Sequence, residues 1–120
     1  MLKIRQALHP YLKSLHDNIY FQQAPDTAEF PYAVYNITSI LDDGEATKEI
    51  ILEIDGWTNQ SSTTALENMM ADINGLNKAV ITTDDLVVVF YLENKAAFIE
   101  DETKYHRRRF SYVGKMFEKE

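Results

Sequence analysis

The 120-residue chain reads as an α+β protein: a mainly antiparallel sheet of four to five strands packed with two helices, in one domain spanning 1–120. Three observations predict this. Apolar residues recur at helical spacing in two separated stretches. Between and after those stretches, β-branched and aromatic residues dominate or alternate with polar ones. Acidic turn signals fall where two hairpins would close.

In the first stretch, Ile4, Leu8, Leu12 and Leu15, with Tyr11 beside them, mark one helical face within Leu2–His16. Pro10 interrupts that pattern, since proline lacks a backbone donor and disfavours helix at the preceding His9. The helix either begins at Pro10, which suits a first helical position, or kinks there. Ile19-Tyr20-Phe21 is a short aromatic strand candidate, closed by Ala24-Pro25-Asp26. Tyr32 to Leu41 follows Pro31 and is rich in strand formers, so it is expected to be extended. Asp42-Asp43-Gly44-Glu45 is a turn signal. After it, Ile50, Leu52 and Ile54 alternate with Glu49, Ile51, Glu53 and Asp55, the period of a strand with one buried face. These two strands form an antiparallel hairpin.

Thr64 and Glu67 fit a capping box, and Leu66, Met69, Met70, Ile73 and Leu76 then mark a helix ending near Gly75 and Asn77. Leu86 to Leu92 reads as a core strand, Glu100-Asp101-Glu102-Thr103 as a turn, and Lys104 to Phe117 as a final strand that closes a second hairpin.

Composition narrows the function classes. A chain of this length buries roughly two-thirds of its unfolded surface and needs no covalent staple. With no cysteine, a disulfide scaffold, a thiolate zinc site and a cysteine nucleophile are excluded. The apolar run Leu86–Leu92 is far shorter than the roughly 20 residues of a spanning helix, and no secretory signal follows Met1. A soluble cytoplasmic protein without a membrane partner is the expectation.

The formal net charge of -7 is divided unevenly. Residues 1–23 carry three basic and one acidic side chain, residues 24–102 three and sixteen, and residues 103–120 six and two. An acidic body with basic ends could form two complementary surfaces for self-association, but on the pattern alone ordinary solvated strand and helix faces account for it more simply. On a strand, Arg107 and Arg109 share one face, and His106, Arg108 and Phe110 the other. The acidic total argues against nucleic-acid binding by this basic run. Pairing with the acidic middle, across strands or between subunits, is the more economical use.

Catalytic and metal patterns are weak. Asp42-Asp43-Gly44 with Glu53 fails as a calcium loop, because the sixth position is Thr47 and the third is Gly44. His9, His16 and His106 are scattered and form no zinc-spaced pair. Asp84-Asp85 and Glu100-Asp101-Glu102 are candidate carboxylate pairs, but neighbours on a strand point to opposite faces, so turn solvation explains them better. No nucleophile elbow or phosphate-binding glycine loop is present. No cofactor and no enzymatic activity are expected.

Several segments in order resemble the tail terminator or tail completion proteins of long-tailed bacteriophages, in the branch common in prophages of Gram-positive bacteria. Ile4-Arg5-Gln6-Ala7-Leu8 with Tyr11-Leu12 is similar to the family's opening helix. Phe30-Pro31-Tyr32-Ala33-Val34-Tyr35 resembles its Pro-Tyr strand entry. Ile50 to Trp57 resembles its strand ending in an aspartate-centred turn, followed by a polar stretch and a helix, here Thr63 to Leu76. Glu100 to Arg107 resembles its acidic turn and Tyr-His-Arg entry to the last strand. The resemblance implies a non-catalytic assembly protein that caps the completed tail tube as a ring, commonly a hexamer. It would stop tube polymerisation and offer a surface to the head-completion or neck protein.

The partners implied are other copies of the chain, the tail tube protein and the neck protein. The implied location is the host cytoplasm during assembly, then the virion. The candidate inter-subunit residues are Arg107, Arg108 and Arg109 against Asp42, Asp43, Glu45, Glu100 and Asp101. Another neck or tail-tube component, or a small-ligand-binding α+β domain, is the alternative.

Overall fold

A computed structural model describes residues 2–42, 47–100 and 102–119. The order of elements is helix α1 (Leu2–Leu15), strands β1 (Ile19–Phe21), β2 (Tyr32–Asp42) and β3 (Thr47–Thr58), helix α2 (Thr64–Ile73) with a 3-10 turn (Asn74–Leu76), then strands β4 (Val80–Thr82), β5 (Leu86–Ile99) and β6 (His106–Glu118). One six-stranded sheet has the order β1-β2-β3-β6-β5-β4. Two expectations change here. Six strands are present where four to five were expected, and the sheet is mixed, because β1 pairs parallel to β2 while the other pairs are antiparallel.

Both helices lie on one face of the sheet. Even-numbered residues of β3 (Ile50, Leu52, Ile54) and of β6 (Phe110, Tyr112, Met116) are buried against them, as are Leu86, Val88 and Phe90 of β5. From the helices come Ile4, Leu8 and Leu12 of α1 and Leu66, Met69, Met70 and Ile73 of α2. Gly56 lets α2 pack close against β3: a Cβ there would stand 2.7 Å from Met70 Sδ. The whole is elongated, 49 × 23 × 23 Å, along the β3–β6 ladder.

Helix α1 begins at Leu2 and runs through Pro10, so the alternative start at Pro10 is not realised. Pro10 is exposed, and the missing donor falls on the solvent side while Ile4, Ala7, Leu8 and Leu12 keep the buried stripe continuous. The capping box is likewise absent. Thr63, not Thr64, precedes α2, and no side chain caps it. The Glu67 carboxylate instead accepts a hydrogen bond from Arg108 Nη2 at 3.2 Å.

β1 is held parallel to β2 by the loop between them. Asn18 Nδ2 donates to Glu29 O (2.6 Å) and Pro31 O (2.7 Å), and Tyr20 Oη donates to Asn18 Oδ1 (2.7 Å). β4 is a three-residue addition to the edge of β5, entered through Lys78 in a left-handed conformation (φ 67°). β5 continues well past Leu92 to Ile99, after an irregularity between Leu92 and Asn94. Together with the first half of β6 it forms a hairpin arm, closed at Glu100, whose N–H donates to Tyr105 O.

Candidate assembly surface

The face of the sheet away from the helices is uncovered by any described element. Cross-strand register arranges its side chains in rows. One row runs from Tyr20 (β1) beside Val34, through Tyr32 (β2), Trp57 (β3) and Arg107 (β6), to Phe98 (β5). Its rings touch: Tyr20–Tyr32 centroids are 6.5 Å apart and Tyr32–Trp57 5.7 Å, and Phe30 bridges Tyr32 to Tyr105 at 5.2 and 5.1 Å. The Arg107 guanidinium lies 4.4 Å from the Phe98 centroid. At the opposite end, Leu41, Val80, Tyr91 and Phe117 are exposed large apolar residues on this same face. Aromatic and arginine side chains flanked by exposed apolar ones are the composition of protein-binding surfaces.

Between these ends lies a charged band. Asp55 faces Arg109 across β3 and β6, and Arg109 Nε and Nη2 donate to Asp55 Oδ1 and Oδ2 at 2.8 and 3.1 Å. Glu53 Oε2 is 3.0 Å from the same Nε. The Asp55 hydrogen bonds raise the Arg109 pKa further above its ordinary value, against partial burial, with the Asp55 and Glu53 charges adding to the rise. Lys115 pairs with Glu49 further along the ladder on this face, whereas Lys48 Nζ, 3.1 Å from Glu118 Oε1, lies on the helix side.

The three arginines of the basic run thus have partners within the chain. Arg109 is held by Asp55 and Glu53, and Arg108 reaches Glu67 on the helix face. Arg107 has its Nε 3.3 Å from Glu100 Oε1, inside ion-pair range but out of hydrogen-bond alignment. Glu100 is therefore brought to Arg107. Asp42 ends β2 opposite Lys48, nine residues along β3 from Trp57, the partner of Arg107. That is about 30 Å at strand spacing, so Asp42 and the arginines stand at opposite ends of the ladder. Asp43, Glu45 and Asp101 lie outside the described residues. The partners Glu53, Asp55 and Glu67 were not among the sequence-selected residues; the alternation Glu49-Glu53-Asp55 was visible, but its apposition to β6 needs the strand order.

Other candidate groups do not converge. Among the described residues no group of three or more His, Asp or Glu is placed to hold a metal. His9 Nδ1 shares a 2.6 Å hydrogen bond with the buried Tyr35 hydroxyl, and His16 Nδ1 accepts from Asn18 N–H at 3.1 Å. Burial lowers the His9 pKa, helped by Lys13 and Arg5, and burial pushes Tyr35 up to about 12. Asp85 serves its turn, its N–H bound to Thr83 Oγ1 and its carboxylate 3.6 Å from Lys3. A cleft of about 530 Å³ opens between the starts of α1 and β5 and the end of β6; Lys3 pairs there with Asp85 and Lys48 with Glu118, and Lys119 Nζ donates to Thr83 O at 2.8 Å.

No family model matches the chain, and no curated protein matches its sequence. Solved structures do. The fold is similar to a chain from the virion of a native gene transfer agent (GTA) particle, with a TM-score of 0.71 and 15% identity, over 97% of this chain and 92% of that one. The likeness is one of fold. A second solved chain is similar with a TM-score of 0.65 and 14% identity, over 94% and 89% of the two chains.

Proposed function

We propose that this chain is a structural protein of a phage-type virion, a tail terminator that caps the tail tube as a ring. The observation that carries this is the fold shared almost end to end with a chain of a gene transfer agent virion. The order of family-like segments, from Ile4-Arg5-Gln6-Ala7-Leu8 to Tyr105-His106-Arg107, supports the narrower assignment. The chain acts as one domain without catalysis or cofactor. It ends tube polymerisation and offers a head-joining surface, first in the host cytoplasm and then in the tail or neck of the virion. Its partners are further copies of itself, commonly six in a ring, the tail tube protein and the neck protein, with no sequence-specific nucleic acid and no membrane.

A ring needs a head-to-tail interface built from two different patches. Opposite ends of the ladder carry candidates for them: Asp42 at one end, and Arg107, Arg108 and Arg109 with Glu100 at the other. Asp43, Glu45 and Asp101, selected from the sequence alone, are proposed as further interface residues. The mutual pairing of charges in the 530 Å³ cleft weighs against a small-ligand site.

Light scattering and negative-stain microscopy, with and without the tail tube protein, test the proposal. Rings alone or rings at tube ends, with tubes ceasing to lengthen, are expected. A strict monomer at high concentration that leaves tube growth unchanged would overturn it, and incorporation along the tube would reassign the chain as a tube subunit.

A further inference from the structure

The two short outer strands leave the sheet with two unpaired edges. β1 covers β2 only at Ala33–Tyr35, and β4 covers β5 only at Val87–Val89. Among the described residues no strand pairs with the outer edge of β2 beyond Tyr35 or with β5 over Asn94–Ile99. Hydrogen-bond alternation identifies the open groups. Glu100 N–H donates inward to Tyr105 O, so Phe98, Ala96 and Asn94 also bond β6, and Lys95, Ala97 and Ile99 turn their N–H and C=O outward. On β2, Ala33 N–H donates to Asn18 O and Tyr35 O accepts from Gln22 N–H, which sets Ile37 outward and, past the irregularity at Ile37/Ser39, Ile40. Such rows of unpaired donors and acceptors are templates for another strand.

We infer that the β5 edge at Asn94–Ile99 pairs antiparallel with the β2 edge at Ile37–Leu41 of a second copy, so that the sheet continues from subunit to subunit. Three features favour a second copy as the occupant. The open stretches lie on opposite edges and at opposite ends, so one operation repeats head to tail without using either edge twice. β2 and β5 run antiparallel within the sheet, so a copy in the same orientation presents the right polarity, offset by about 20 Å along the strands. The charges differ in sign even without the internally paired Glu49, Glu53 and Arg109: residues 94–108 carry four basic and three acidic side chains, net +1, and residues 36–45 carry three acidic and no basic, net -3. The β5 stretch contains no proline and a single charge, Lys95, and Ile99 is 61% exposed.

This pairing rests on the self-assembly proposed above, and the test separates the two. Ala97→Pro removes an outward N–H without touching the β6 ladder. It is expected to keep the unfolding midpoint and weaken assembly by about tenfold or more. Because the chain has no cysteine, cross-links report only on introduced thiols. Mixing Ser39→Cys or Leu41→Cys chains with Ala96→Cys or Phe98→Cys chains under mild oxidation is expected to give disulfides between unlike variants. Normal rings from Ala97→Pro, or cross-links confined to like variants, would overturn the edge pairing and leave the ring. Wild-type chain that forms no ring, alone or on tubes, would overturn both. Should Ala97→Pro fail to fold, the unlike-variant cross-link decides.

Discussion

Replacing Arg109 separates a charge that holds its own sheet from one reserved for a partner. Its guanidinium makes two hydrogen bonds to Asp55, at 2.8 and 3.1 Å, with Glu53 at 3.0 Å. A buried hydrogen bond to a charged group contributes about 1.5–3 kcal/mol, and a fully exposed ion pair about 0–1 kcal/mol. The Asp55 side chain is 16% exposed and that of Arg109 34%, so this pair lies between those limits. We expect a coupling of about 1.5 kcal/mol in a double-mutant cycle of Arg109→Met and Asp55→Asn read by urea unfolding. Arg109→Met alone should lower Tm by about 5 °C. Arg109→Glu sets a third carboxylate beside Asp55 and Glu53 and should cost roughly 3 kcal/mol, much of the like-charge repulsion being relieved as the new side chain swings into solvent. Additivity within about 0.5 kcal/mol would refute the cross-strand role. If Arg109→Glu instead unfolded like wild type but no longer assembled, the arginine would serve a neighbouring subunit.

Two further perturbations probe the core and its titration. A Cβ on Gly114 would stand 2.6 Å from Phe90 Cε1, so Gly114→Val should cost about 3 kcal/mol or more by overpacking, seen as a lower urea midpoint at unchanged slope; a change within about 0.5 kcal/mol would mean the Phe90 ring moves aside freely. His9 is harder to protonate folded than unfolded, chiefly through burial. Between its lowered value and 6.5 the unfolded chain therefore holds more protons, so its contribution to stability is complete above about pH 6.5 and is lost as pH falls. His9→Gln, which keeps an acceptor for Tyr35, should flatten the pH 5–7 slope of the unfolding midpoint relative to wild type, and identical slopes would contradict the assignment.

Much of the fold is legible because local patterns and tertiary packing agree. The period-two run Ile50-Leu52-Ile54 and the helical run Leu66-Met69-Met70-Ile73 bury the residues their spacing selects. Elements that need long-range information are not. β4 is three residues long, too short for periodicity to mark, and exists because β5 offers an edge. The second half of β5 hides behind the irregularity at Leu92/Asn94, where the inward parity changes and Lys95, Ala97 and Ile99 fall on the helix side. α1 continues through Pro10 because packing of Leu8 and Leu12 outweighs one lost hydrogen bond on the exposed side. The parallel setting of β1 depends on Asn18 anchoring the loop to Glu29 and Pro31, which no spacing rule signals.

The charge division shows the same limit at the candidate surface. Acidic residues in the middle and basic ones at the end suggested two surfaces seeking each other, and the β3–β6 register lets much of that attraction be used inside the subunit. Glu49 meets Lys115, Asp55 and Glu53 meet Arg109, and Glu67 meets Arg108. A segmental excess of charge therefore does not by itself require a second protein; strand order decides what remains for one. What remains here is mostly backbone and apolar: the unpaired edges of β2 and β5, exposed Leu41 and Ile99, and the aromatic row from Tyr20 through Arg107 to Phe98. If the subunits join through those edges, hydrogen bonds between main chains supply the attraction, and the charges at the two ends chiefly select register and polarity. Assembly should then weaken only modestly between low and high salt, whereas an interface built mainly on exposed ion pairs would dissociate as the Debye length falls from about 30 Å at 0.01 M to about 3 Å at 1 M.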